Sequence, residues 1–217
     1  MYVPPHFAVP NADVDALVAR LARRWSGLLV TLESDGTPVA TQMPILWDGA
    51  TRVVRGHIAR ANPQWKQGPG KGLIVLVGPE AYVSPGWYAS KAEHGKTVPT
   101  WNYEAVHFTG HVEWFDDPQR LESVVRDLSA VHEADQPKPW TIEDAPRPYI
   151  DALMRGFVGV SMQVERVEAK RKLSQNKSAA DFTGVADGLR GSTDPLAREV
   201  SALMRGTRAV ADDPDGN

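Results

Sequence analysis

Apolar residues recur along this chain with two periods. In the first 25 residues Val14, Leu17, Val18 and Leu21 share one face at helical spacing, with Asn11 and Asp13 placed to cap. That helix is predicted to run to Trp25 and stop at Gly27. LLVTLE, the turn SDGTP and VATQMPIL then read as a hairpin, two β-rich runs around an Asp-Gly connection. The turn WDGATR leads to the strand VVRGHIA. A polar segment, ANPQWKQ, and the glycine-rich break GPGKG precede the strand LIVLVG. In EAVHFTGHVEWF, Val106, Phe108, Val112 and Trp114 alternate with His107, Thr109, His111 and Glu113, the period of a half-buried strand.

DPQRLESVVRDLSAVHEA has helical spacing, with Asp116 or Asp117 at the cap and Pro118 in the first turn. The proline-rich PKPWTIEDAPRPY leads to a short helix near 148–155. FVGVSMQVERVEA alternates again, with Val158, Val160, Met162 and Val164 on one face. From Ser178 onward two short helical pieces are expected, and the terminal ADDPDGN reads as disordered. Six or seven strands, mostly linked by hairpins and not alternating with helices, argue against a doubly wound sheet. The pattern predicts an α+β fold, mainly antiparallel: a small barrel flanked by helices, in one domain.

Residues 82–103, YVSPGWYASKAEHGKTVPTWNY, fit neither period until their end. Five large aromatic rings sit among proline, glycine and lysine. Rings that periodicity does not assign to a core suit a pocket or an interface.

Composition narrows the chemistry. The 217 residues are 42% apolar and 24% charged, with a net charge of −3, so any nucleic-acid or anionic-membrane contact would need a local basic patch. The absence of cysteine removes disulfides, thiolate metal sites and a cysteine nucleophile. No apolar run approaches the roughly 20 residues that span a bilayer. MYVPPHFAVP has neither a basic n-region nor a hydrophobic h-region, and a cytoplasmic location is expected.

Metal binding has little support. His107 and His111 share a strand face about 13 Å apart at ~3.3 Å per residue, too far to share an ion. His132–Glu133 lacks the second histidine of HExxH, GPGKG lacks the phosphate-loop spacing, and GxSxG is missing. GHIARANPQW is more informative. Arg60, Asn62 and Gln64 follow the strand that carries His57, and a guanidinium fork with amides at such a corner suits a phosphate. The ordinary alternative is a surface arginine with Asn62 capping the next helix. In KRKLSQNKSAAD, Lys170, Arg171, Lys172 and Lys177 form the strongest basic cluster. Its usual meaning is a solvated face, against a phosphate or nucleic-acid contact. Ser174, Gln175 and Asn176 add polar groups able to meet a heterocycle edge.

Together MYVPPHF, GHIARANPQW, AYVSPGWYASKAEHGKTVPTWNYEAVHFTG and KRKLSQNKSAAD resemble the PaiB-type FMN-binding negative transcriptional regulators, in the same order, over roughly residues 1–190. The resemblance implies a split β-barrel of the pyridoxamine-phosphate-oxidase-like kind spanning 1–190, followed by a C-terminal helix and tail at 191–217. It also implies a homodimer with FMN near the subunit interface, and repression through DNA as the output. By the same resemblance Arg60 and Asn62 hold the flavin phosphate, with Lys91 as a helper. Thr41 and Gln42 reach the ring edge, Gln175 and Asn176 bond the flavin or ribityl chain, and Trp87, Tyr88, Trp101 and Tyr103 offer flat surface. A related branch, the piperazate synthases, uses haem to form an N–N bond and looks similar around GHIARANPQW. An enzyme is therefore the alternative: a flavin reductase or oxidase, or a haem enzyme with His57 as axial ligand or acid–base group. A structural strand histidine is an equal reading of His57.

Overall fold

A computed structural model describes residues 1–212, with side chains through Thr207. The elements, in chain order, are α1 (Asn11–Ala22), β1 (Gly27–Leu32), β2 (Pro38–Met43), β3 (Ile45–Asp48), β4 (Val53–Ala59), β5 (Gly70–Val83), α2 (Ser90–His94), β6 (Thr100–Phe115), α3 (Pro118–Glu133), α4 (Arg147–Met154), β7 (Phe157–Lys172), α5 (Ala179–Arg190) and α6 (Pro195–Asp212). The alternating segments are strands and the 3.6-period segments are helices. Val106, Phe108 and Val112 are buried on β6 while His111 and Glu113 face solvent. Asp117 caps α3 by accepting from the Arg120 N–H at 2.8 Å. The break at GPGKG is narrower than its composition suggests, because β5 already begins at Gly70. Of the expected disordered tail, the part beyond Asp212 lies outside the described residues.

The seven strands form one sheet in the order β2-β1-β5-β6-β7-β4-β3. The β1–β2, β1–β5, β3–β4 and β4–β7 ladders are antiparallel, with Gly27 opposite Met43 and His57 opposite Gly159. The sheet is open, which corrects the expectation of a split β-barrel. Closure would require its terminal strands, β2 and β3, to pair. They are consecutive and joined only by Pro44, so they run on from one another instead of lying side by side. The sequence read VATQMPIL as one strand; Pro44, which has no N–H to donate, divides it into two.

The chain forms two compact units. The first comprises Met1–Asn11, Val77–Ala105 and Ala169–Asn217; the second comprises Ala12–Leu76 and Val106–Glu168. Within the second, α3 and α4 bury Leu121, Val124, Leu128, Ile150 and Met154 around Phe115. Within the first, α5 and α6 bury Phe182, Val185, Leu189, Val200 and Met204 together with Val83, Tyr88 and Leu173. Each set is one stripe of its helix, and burial of such stripes at ~25 cal/mol per Å² is the main favourable term.

Trp87 lies directly on α5. A Cβ placed on Gly184 would stand 2.1 Å from the Trp87 carbonyl oxygen, and one on Gly188 2.4 Å from its indole. Glycine here lowers helix propensity by about 1 kcal/mol relative to alanine but lets the loop seat. Gly184→Ala is therefore expected to destabilise the protein by about 1–2 kcal/mol despite its better propensity, because overpacking wins. Urea unfolding of the parent and the variant measures this.

Candidate functional site

The Arg60 corner belongs to the second unit. Where β4 ends beside the start of β7, the Arg60 N–H bonds the Gly156 carbonyl at 2.7 Å. Its side chain turns back on the same segment: Nε donates to the Arg155 carbonyl at 2.9 Å and Nη2 to the Phe157 carbonyl at 3.0 Å. Nη1 lies 3.6 Å from the Asp116 carboxylate. Part of the guanidinium predicted for a phosphate is thus a brace for the α4–β7 turn. Asn62 is wholly a brace. Its Oδ1 accepts from the Gln64 N–H, capping a short 3-10 turn at Pro63–Gln67, and its Nδ2 donates to Thr41 Oγ1 at 2.7 Å. Gln42 accepts from the Ser26 hydroxyl. The sequence placed Thr41 and Asn62 in one site, and the structure brings them into contact, though with each other.

Arg60 also opens onto a cavity of about 630 Å3, within the second unit, whose floor is Pro118, Leu121 and Met154. Its rim carries Asp116, Arg147, Asp151 and Arg155. Arg147 is held by Glu122 and Asp151, each at 2.8 Å. The Arg155 guanidinium has no ion pair or hydrogen bond among the described residues. Arg155 was missed from the sequence: it follows α4 in a segment whose only visible signal was helical spacing.

His57, on β4, packs its ring 4.6 Å from that of Phe157, and its buried Nδ1 has no hydrogen-bond partner among the described residues. Burial pushes its pKa below the usual histidine value of 6.5. The folded state thus keeps His57 neutral where the unfolded chain would protonate it, and stability falls as pH drops below about 6.5. His57→Leu should flatten that slope below about pH 6.5, as read from urea midpoints across pH.

The remaining predicted residues belong to the first unit. Trp87 is half-buried against α5, and Tyr88 is buried. Trp101 is 51% exposed and meets the equally exposed Tyr82 edge-on at 6.0 Å, a partner that the sequence did not single out. Lys91 sits on the short, exposed α2. Gln175 uses both ends of its amide on its own turn: Oε1 accepts from the Leu173 N–H at 2.7 Å and Nε2 donates to the Arg171 carbonyl at 2.6 Å. That clamp holds Ser174 at φ 64°, a left-handed conformation uncommon outside glycine. Asn176 follows it and lines a separate small cavity.

The basic cluster is largely not a solvated face. Lys170 is buried, bonds the Tyr2 carbonyl at 3.2 Å and lies 5.3 Å from the Tyr103 ring centre. Arg171 pairs at 2.8 Å with Glu104, whose side chain has no solvent exposure. Lys172 donates to Thr100 Oγ1 and the Trp101 carbonyl. Among the described residues no group of three or more histidine or acidic side chains could hold a metal, and no helix is long and apolar enough to cross a membrane.

These features define an α+β protein built on an open antiparallel sheet, with its cations gathered at two strand ends. Residues 1–166 match the family described as "Putative FMN-binding domain". The chain is also 31% identical to the protease synthase and sporulation protein PAI 2 of Bacillus subtilis, over 94% of this chain and 96% of that one. It belongs to this PaiB-like FMN-binding-domain family. Solved structures share the fold, two of them as follows. Conserved hypothetical protein Rv2991 of Mycobacterium tuberculosis is 17% identical over 81% of this chain and 92% of its own, with a TM-score of 0.55. The flavocytochrome Anf3 of Azotobacter vinelandii is 14% identical over 80% and 73%, with a TM-score of 0.52.

Proposed function

We propose that this protein binds FMN and works through the flavin's redox chemistry, as a flavin-dependent enzyme of the reductase or oxidase kind. The observation that carries the reading is the arginine-rimmed cavity beside Arg60. It combines a guanidinium at Arg155 with no ion pair among the described residues, a second one at Arg60 with a donor still turned toward Asp116, and an apolar floor. A phosphate beside a flat apolar body suits that donor set. In this reading Arg155 and Arg60 hold the phosphate, while Pro118, Leu121 and Met154 exclude water from the flavin. The bound flavin supplies hydride or electron transfer, and the protein supplies binding and orientation. Asp116 opposes the phosphate and tempers its affinity.

A second reading has one observation of its own. His57 is half-buried, its pKa is lowered by burial, and its Nδ1 has no hydrogen-bond partner among the described residues, which suits a haem ligand or a proton-handling group. The flavocytochrome of the same fold lends it support, as it does the flavin reading. The family resemblance implies a different output, repression by a cytoplasmic homodimer with flavin near the interface. A salt-sensitive shift of promoter DNA and a dimer mass by light scattering are its tests.

The visible spectrum of the freshly purified protein decides between the cofactors. A yellow, fluorescent ligand released on denaturation is expected; a Soret band would replace the proposal with haem, and a colourless protein that takes up neither would end both. Arg155→Ala is expected to weaken FMN binding at least tenfold with unchanged urea stability. Arg60→Ala should do the same and also cost about 1–3 kcal/mol, because two carbonyls lose a charged donor. Asp116→Asn should tighten binding. Equal flavin retention in Arg60→Ala and Arg155→Ala would refute the phosphate role.

A further inference from the structure

The small cavity of the first unit has no part in the flavin reading and carries chemistry of its own. It measures about 210 Å3, below the roughly 300 Å3 at which pockets for drug-sized ligands begin. Phe7 and Val98 supply an apolar wall; Tyr88, Lys172, Asn176 and Lys177 supply the polar one.

Three observations converge on it. The Tyr88 hydroxyl is buried, in a residue only 4% exposed, and has no hydrogen-bond partner among the described residues. A buried hydroxyl without a partner costs free energy that a ligand atom would recover. Lys172 gives two donors to Thr100 and Trp101, and a third N–H remains to its ammonium. Lys177 holds its ammonium 5.0 Å from the Tyr88 ring centre and forms no ion pair among the described residues. Burial first, and then the like charges of Lys170 and Lys177, push the Lys172 pKa below the usual lysine range of 10.5. An anion between these ammonium groups would reverse that repulsion.

The loop that presents them is built under strain. Gln175 clamps Ser174 in its left-handed conformation, and the Lys177 N–H closes the turn on the Ser174 carbonyl at 3.0 Å. Non-glycine residues in that region persist where surrounding structure over-determines them, and such positions cluster at ligand sites.

We propose that this cavity is an oxyanion site in which Lys172 and Lys177 take the charge of a small organic phosphate or carboxylate. The Tyr88 hydroxyl and the Asn176 amide donate to its remaining oxygens, and Phe7 and Val98 cover a short carbon body. None of these residues rims the Arg60 cavity, so the proposal does not rest on Arg60 and Arg155 holding a phosphate; Tyr88 and Asn176, which the family resemblance gives to the flavin, here serve the oxyanion.

Calorimetric titration of the full-length protein with inorganic phosphate and with butyrate, at ionic strength matched with sodium chloride, tests it. Saturable binding of at least one is expected. Lys177→Met should weaken it at least threefold, Tyr88→Phe three- to tenfold, and Lys172→Met tenfold or more. Tyr88→Phe and Lys177→Met remove no side-chain hydrogen bond among the described residues, so they keep the test clear if Lys172→Met fails to fold. Tighter phosphate binding assigns a phosphate ester, and tighter butyrate binding assigns a carboxylate; either supports the site. No heat beyond that of chloride, or equal binding by Tyr88→Phe, Lys177→Met and the parent, overturns it.

Discussion

The first unit rests on one ion pair. Glu104 on β6 is completely buried, and Arg171 on β7 meets it at 2.8 Å. Burying a carboxylate costs several kcal/mol unless a charged donor stays with it, and removing one partner of such a pair costs about 3–5 kcal/mol. The position of Arg171 is therefore fixed, and much follows from it. Its carbonyl accepts from Gln175, Gln175 shapes the Ser174 turn, and Ser174 meets the fully buried Asn102 at 3.0 Å. Asn102 also donates toward the Met204 sulfur at 3.4 Å, so the same network reaches α6. The polar wall of the small cavity hangs on this chain of bonds.

The two units solve the problem of holding positive charge differently. In the second, arginines bracket a large cavity and are braced by backbone carbonyls and carboxylates, the planar fork serving several partners at once. In the first, lysines converge on a small one with hydroxyls and carbonyls as their partners. The chain thus carries, among the described residues, two cationic cavities of unequal size, one rimmed by arginines and one by lysines.

Local periodicity was a sound guide wherever one face of an element is buried. The alternation on β6, the Asp117 cap, the helical spacing of α3 and the two helical pieces after Ser178 are all present as read. Closure of the sheet was not legible, because it depends on whether Pro44 bends or merely interrupts one strand, and a pattern of residues is silent on that. The residue types of the site were legible, but the partners these residues have within the chain were not. Asn62 and Gln175 have the right chemistry for a ligand but satisfy backbone groups a few residues away. Lys170 and Arg171 looked like a solvated run because their partners, Tyr2 and Glu104, lie far off in sequence. Arg155 gave no signal at all, since a single arginine after a helix is commonplace.

Both margins of the sheet are short, six residues in β2 and four in β3, and Pro38 and Pro44 bound or begin them. An incoming strand from another chain would find few consecutive amides to zip onto. Pairing at either of these two strands would therefore give few backbone hydrogen bonds, and an interface built there would rest mainly on side chains.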